Sequence, residues 1–143
     1  MKKELIFKKL FVVVLAFIAI GCISCEKLKK DYRDKWVGDW CFEINNHWWS
    51  YGGKSGDSIY YYLGKICMGD MDNELKIDYT EYASIIMEVD KSGKLFLNSM
   101  DPHVGGNGQF EEADKIYLEH KGGGQGGGYS QKINGIKIKE EKK

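Results

Sequence analysis

Residues 35–45 read "KWVGDWCFEIN". Trp36, Trp40, Phe42 and Ile44 share one parity, and Val37, Asp39, Cys41 and Glu43 share the other. Side chains alternate across a β-strand with a period of two, so the bulky set faces a core and the other set faces water. The segment predicts a half-buried first strand.

The same alternation continues downstream. "SIYYYLGKICMG" (58–69) divides into Tyr60, Tyr62, Gly64, Ile66 and Met68 against Ile59, Tyr61, Leu63, Lys65 and Cys67. Both of its faces are apolar at the start, so periodicity leaves its orientation open. "NELKIDYT" (73–80) sends Leu75, Ile77 and Tyr79 inward, and "YASIIMEVD" (82–90) sends Ile85, Met87 and Val89 inward. The turn "DKSG" follows, with Gly93 suited to a left-handed hairpin position. "KLFLNSM" (94–100), a short strand around "GQFEE" (108–112), "KIYLEHK" (115–121) and "GYSQKINGIKIK" (128–139) complete the series. The chain has one proline and 9 tyrosines, and no long window has helical spacing.

About eight short strands with short connections predict pairing between sequence neighbours. A single flat sheet would leave its apolar face in water. The expected fold is therefore all-β, an up-and-down antiparallel meander closed into a small barrel, with a two-sheet β-sandwich as the alternative. The outward positions carry Glu and Lys where lipid would demand apolar residues, which excludes a transmembrane barrel.

The chain begins differently. Residues 1–9 hold four lysines and one acid, and 10–20 are wholly apolar. The sequence from 11 to 31 then reads "FVVVLAFIAIGCISCEKLKKD". Positive, apolar, then small is the layout of a secretory signal peptide. The apolar run of 14 residues, 10–23, is short of the roughly 20 a membrane-spanning helix needs. The cysteine at the end of the run resembles a lipobox, where the thiol is lipidated and the chain is cut before it. "CISC" followed by Glu and Lys favours Cys25, and "AIGC" makes Cys22 the alternative. The reading is a lipoprotein signal over 1–24, a charged tether over 25–35, and one all-β domain over 36–143. It places the protein outside the cytoplasm, lipid-anchored (palmitate and related acyl chains) in a bacterial outer membrane and facing the periplasm or cell surface.

The full chain has 21 basic and 21 acidic residues. Residues 1–21 carry four Lys and one Glu, so 17 basic and 20 acidic residues remain after their removal. That balance argues against a nucleic-acid partner, which would call for a basic stripe. Cys41 and Cys67 also remain. Their outward parity permits a disulfide if the first two strands pair in a suitable register, and an exported chain can keep one.

Taken together, "YRDKWVGDWCFEI", "LGKICMGDMDNELKI", "VDKSGKLFL", "HVGGNGQFEEADKIYLEH" and "GGGQGGGYSQKINGIKI" resemble small Bacteroidetes-type lipoproteins with a lipocalin-like (calycin-like) barrel. Gly108, Phe110 and Asp114 stand where that group has Gly-x-Phe-x-x-x-Asp before a strand. The resemblance covers 32–139 and implies a fold; it carries no functional residues. The polar "INNHWWSYGGKSGDS" (44–58) is richer in Trp than the group's pattern and reads as an inserted loop.

Catalytic signatures are missing. "GGNG" (105–108) and "GGGQGGG" (122–128) lack the lysine and helix of a phosphate loop and read as tightly turned or mobile connections. "GDMDNE" lacks the length of an EF-hand loop and reads as a hairpin turn. His47, His103 and His120 have no ligand spacing, so no metal and no cofactor is expected. No nucleophile elbow is present. Glu111 and Glu112 are adjacent and point to opposite faces, so they cannot act as a paired acid and base.

The best functional lead is aromatic: Trp48, Trp49 and Tyr51 in the expected loop, with Tyr60 and Tyr61 at the start of the next strand. Rigid aromatic area with a polar edge is common at binding surfaces. The expected function is a membrane-anchored binding module for an envelope partner, a glycan or a small apolar ligand, without catalysis. A structural or assembly subunit of an envelope complex is the second reading, and a hydrolase-type enzyme the third.

Overall fold

The computed structural model describes residues 30–139. It contains strands β1 (Gly38–Ser50), β2 (Lys54–Met68), β3 (Glu74–Asp78), β4 (Ser84–Val89), β5 (Lys94–Phe96), β6 (Gly105–Glu111), β7 (Lys115–Gly124) and β8 (Gly127–Lys137). Each strand pairs antiparallel with the next, and β8 pairs with β1. The meander thus closes into an eight-stranded up-and-down barrel of lipocalin-like form. Closure removes the sandwich alternative.

The register stacks the interior in rows. Phe42 lies opposite Tyr62 on one side and Gly135 on the other, and Gly135 lies opposite Ile116. One row up are Tyr60, Ile44, Ile133 and Leu118. Above them are Ser58, Asn46, Gln131 and His120, and at the rim Gly56, Trp48, Tyr129 and Gly122. The lower rows form a dry core with Trp40, Ile66, Leu75, Ile77, Met87, Leu95 and Phe110, all buried. Each such side chain contributes about 1.5–3 kcal/mol by leaving water. The parity expected for the first, third and fourth strands holds at every core position named. In β2 the set beginning with Tyr60 is the inner one.

The lower end is shut by the chain that precedes β1. Residues 32–36 form a turn, with Trp36 N–H donating to the Arg33 carbonyl at 2.9 Å. Trp36 stacks on Phe110 with centroids 4.4 Å apart, and its Nε1 donates to the Glu112 carbonyl at 3.2 Å. Gly93, at φ 90°, closes the β4–β5 hairpin against the same indole. Arg33 is buried, and its Nη1 donates to the carbonyls of Met71 (2.6 Å) in the β2–β3 turn and Glu74 (2.8 Å) at the start of β3. Tyr32 donates its hydroxyl to the Val89 carbonyl at 2.8 Å.

These contacts correct three expectations. The compact unit begins at Tyr32, so the last part of the expected tether belongs to the fold. The Trp-rich stretch is no loop: Trp48 and Trp49 lie in β1, and the turn to β2 is confined to residues 51–53. The glycine runs are largely strand, with the tight turn expected in the second confined to two residues. "GGNG" is the start of β6, and "GGGQGGG" is a hairpin of paired strands turning at Gln125 and Gly126.

The cysteine pair is a further correction. Cys41 and Cys67 are free thiols. Both face outward, but Cys41 lies opposite Leu63, four positions short of Cys67 on the same strand. At about 3.3 Å per residue that offset exceeds disulfide reach. Cys22 and Cys25 lie outside the described residues.

Candidate functional site

Above the dry core the interior turns polar. Tyr79 donates its hydroxyl to Gln131 Oε1 at 2.9 Å and lies 2.9 Å from His120 Nδ1. The phenol has a single proton, so Nδ1 carries the hydrogen of that second bond. His120 Nε2 is then the acceptor for the Tyr129 hydroxyl, at 3.4 Å. Gln131 Nε2 donates to Asn46 Oδ1 at 3.1 Å and to the Tyr60 hydroxyl at 3.4 Å. Burial pushes the Tyr79 phenol well above its usual range, and the Tyr129 and Tyr60 phenols add to the shift. Burial raises Tyr60 and Tyr129 too. It lowers His120, against a smaller opposing effect of its hydrogen bonding with Gln131. The layer lines the upper barrel with side chains hydrogen-bonded to one another. Spacing alone gave no hint of it, because its members come from β1, β2, β7, β8 and the residue that follows β3.

The described grooves lie on the outer face and at the rims. One of 740 Å³ runs along Val37–Asp39, Glu112–Asp114 and Lys137–Lys139 at the shut end. Two others lie towards the opposite end. The first, of 470 Å³, is lined by Trp49, Pro102, His103 and the residues of the β7 tip. The second, of 320 Å³, is lined by Asn45, His47, Asp57, Ser130, Lys132 and their neighbours.

Trp49 lines the first of them, faces outward and is 41% exposed. It stands opposite Gly128 in the register, and a β-carbon at 128 would come within 2.6 Å of its Cζ2. The glycine therefore gives the indole a seat flat on the strand. The rim repeats the device on the inner face. Trp48 lies over its cross-strand partner Gly56, and Tyr129 lies over its partner Gly122. Aromatic rings laid across glycines restore the contact area that the glycine lacks. The Trp-rich segment and the glycine runs are thus two halves of one arrangement.

Below Trp49 the outer face is a polar field. Lys121, Ser130, His47 and Asp57 form one row across β7, β8, β1 and β2, and Glu119, Lys132 and Asn45 lie in the next. His47 Nδ1 meets Asp57 Oδ1 at 2.7 Å, and the His47 ring lies 6.0 Å from that of Trp49. Ser130, His47 and Asp57 are the residue types of a nucleophile, a base and an orienting acid. Among the described residues no hydrogen bond joins Ser130 to His47. The amides of β8 and β1 are engaged by neighbouring strands on both sides, so no donor pair is set to receive an oxyanion. The row offers hydrogen-bonding groups on a flat sheet.

The expected surface residues are divided by this arrangement. Trp49 and the turn residue Tyr51 project from the tip, and Trp48 lines the rim. Tyr60 points inward into the polar layer, whereas Tyr61 points outward and donates to Glu43 Oε2 at 3.1 Å. Among the described residues no three His, Cys, Asp or Glu side chains gather as a metal site.

No family model matches the chain, and no curated protein matches it. Among solved structures the chain is similar to an S-type phycobiliprotein lyase from Guillardia theta, at a TM-score of 0.37 and 8% identity. The match covers 78% of this chain and 93% of that one, and a likeness this slight carries nothing about function.

Proposed function

We propose that this protein is a lipid-anchored binding module of the bacterial envelope, of the small Bacteroidetes-type lipoprotein kind, and that its ligand is a glycan. One observation carries the ligand class: an exposed indole, set on Gly128, that lines one groove and neighbours the His47 wall of a second, both with hydrogen-bonding side chains. A sugar ring has an apolar face that stacks on an aromatic plane and a rim of hydroxyls that exchange hydrogen bonds with Asp, Asn, His and Lys. Trp49 meets the first requirement; Asp57, His47, Asn45, Lys132, His103 and Lys121 meet the second. A wholly apolar ligand fits less well, because the upper barrel is lined by the polar Tyr79–His120–Gln131 layer. No catalytic step is assigned. The lipid anchor rests on the cysteine at the end of the signal-like segment, Cys25 with Cys22 as the alternative.

Isothermal titration tests the reading with β-1,4-linked tetramers of glucose, mannose and N-acetylglucosamine and with glycans released from the cell envelope. At least one should bind, and Trp49→Ala should weaken it about tenfold or more, as loss of a central aromatic anchor does. Binding that is indifferent to Trp49, or no binding across the set, removes the proposal.

A further inference from the structure

The groove of Trp49 and the groove of His47 are joined by a third. This one, of 100 Å³, has Asn107, Glu119, Lys121 and Ser130 in its wall. Lys121 also lines the groove of Trp49, and Ser130 also lines that of His47 and Asp57. Shared walls make the three one track, which crosses β6, β7, β8, β1 and β2.

Two lysines stand along it, Lys121 on the Trp49 side and Lys132 on the His47 side. Lys121 lies opposite Ser130, two residues from Lys132, so the pair are diagonal neighbours on β7 and β8. Such a diagonal spans about 7–8 Å. The stem of Lys121 passes Gly105 of β6, where a β-carbon would lie 3.3 Å from its Cε. Among the described residues neither ammonium group has an ion-pair or hydrogen-bond partner. The carboxylates nearby are engaged. Asp57 Oδ1 meets His47 Nδ1 at 2.7 Å, and Glu119 Oε1 accepts the Tyr117 hydroxyl at 2.5 Å although Glu119 stands opposite Lys132 in the register. Glu43 accepts from Asn45 Nδ2 and from Tyr61, both at 3.1 Å, and Asp101 accepts the His103 N–H at 2.9 Å. The acids are turned to partners of their own, and the charged groups left free along the track are cationic.

We propose that the glycan of the reading above, on which this inference rests, is anionic: one sugar ring lies on Trp49, and carboxylate or sulfate groups of the chain meet Lys121 and Lys132. An ammonium group with no protein counter-ion gives up only water to reach an oxyanion, and the resulting charge-assisted hydrogen bond is stronger than one to a hydroxyl. Each exposed pair of this kind contributes about threefold in affinity, and two contribute about tenfold. Salt screens both. Uronates and sulfated sugars present the same oxyanion chemistry, and matched ligand pairs separate them.

Isothermal titration of the full-length chain at low salt tests the proposal. A tetramer of α-1,4-galacturonate is compared with its methyl ester, and a sulfated galactan tetramer with its desulfated form. At least one acidic member should bind about tenfold tighter than its neutral counterpart, and the pair that responds names the oxyanion. The preference should shrink as salt is raised. Lys121→Gln and Lys132→Gln should each cut it to about threefold, and Trp49→Ala should weaken the acidic tetramer about tenfold or more. Equal binding of acidic and neutral members, both still dependent on Trp49, overturns the anionic assignment and leaves the glycan reading standing. An acidic preference that survives both lysine substitutions overturns it too. So does tetraglutamate binding as tightly as the acidic tetramers, since charge alone would then suffice. Binding by no saccharide removes the glycan reading and this inference with it.

Discussion

Trp49 of β1 stands opposite Gly128 of β8, and its indole occupies the volume that a side chain at 128 would take. A β-carbon there would lie 2.6 Å from both Trp49 Cζ2 and the Gly122 carbonyl oxygen. The second neighbour is backbone and cannot turn away. Gly128→Ala should therefore cost about 1–3 kcal/mol of stability, the usual range for an overpacked site. It should also lift the indole off the sheet. Urea unfolding reads the first effect, and acrylamide quenching of Trp49 fluorescence reads the second.

Arg33 joins the segment before β1 to the β2–β3 turn and the start of β3 through two carbonyls. Arg33→Ala would leave both without their charged donor inside the shut end of the barrel. The expected loss is about 2–4 kcal/mol in urea unfolding. An unchanged midpoint would mean that the segment is only loosely seated.

The buried layer gives stability a pH dependence. Burial holds the His120 pKa below its ordinary value of 6.5, so the unfolded chain takes up this proton more readily than the folded one. The contribution is complete above pH 6.5 and is lost as pH falls through the folded value. The urea midpoint should decline between pH 7.5 and pH 5, and His120→Asn should flatten the decline. An equal slope in the variant would assign the dependence to other groups.

Strand parity made the lower barrel legible. Residues 36–44, 75–79 and 85–89 alternate cleanly because each has one dry face and one wet face. The upper barrel was not legible, for a physical reason. There the inner face is itself polar, so Asn46, Ser58, His120 and Gln131 erase the contrast on which alternation depends. Glycine adds to the difficulty, since it has no side chain to show a face. Gly56, Gly122 and Gly128 read as connections and are in fact strand positions that seat Trp48, Tyr129 and Trp49. Charge misled at 32–35, where composition suggested a tether although Arg33 is buried. For the cysteines, outward parity was legible and the four-residue offset was not, because register is a tertiary property.

If the chain is lipidated as proposed, labelled palmitate should enter the full-length protein made in an envelope-bearing bacterial host. Cys25→Ser should abolish the label. Label that survives Cys25→Ser and disappears with Cys22→Ser would move the anchor to the other cysteine. Label unaffected by both substitutions would remove it.

The central claim is that Trp49 is a sugar-binding platform. Its most direct test is the set of indole N–H signals of the ¹⁵N-labelled chain, which has four tryptophans. Trp36 and Trp40 are buried at the shut end, while Trp48 and Trp49 stand at the other. On addition of the β-1,4-linked tetramers or released envelope glycans, the Trp49 signal should move most and saturate, with Trp36 and Trp40 unmoved. Saturable shifts confined to residues lining the groove at 37–39 and 137–139, with Trp49 silent, would contradict it.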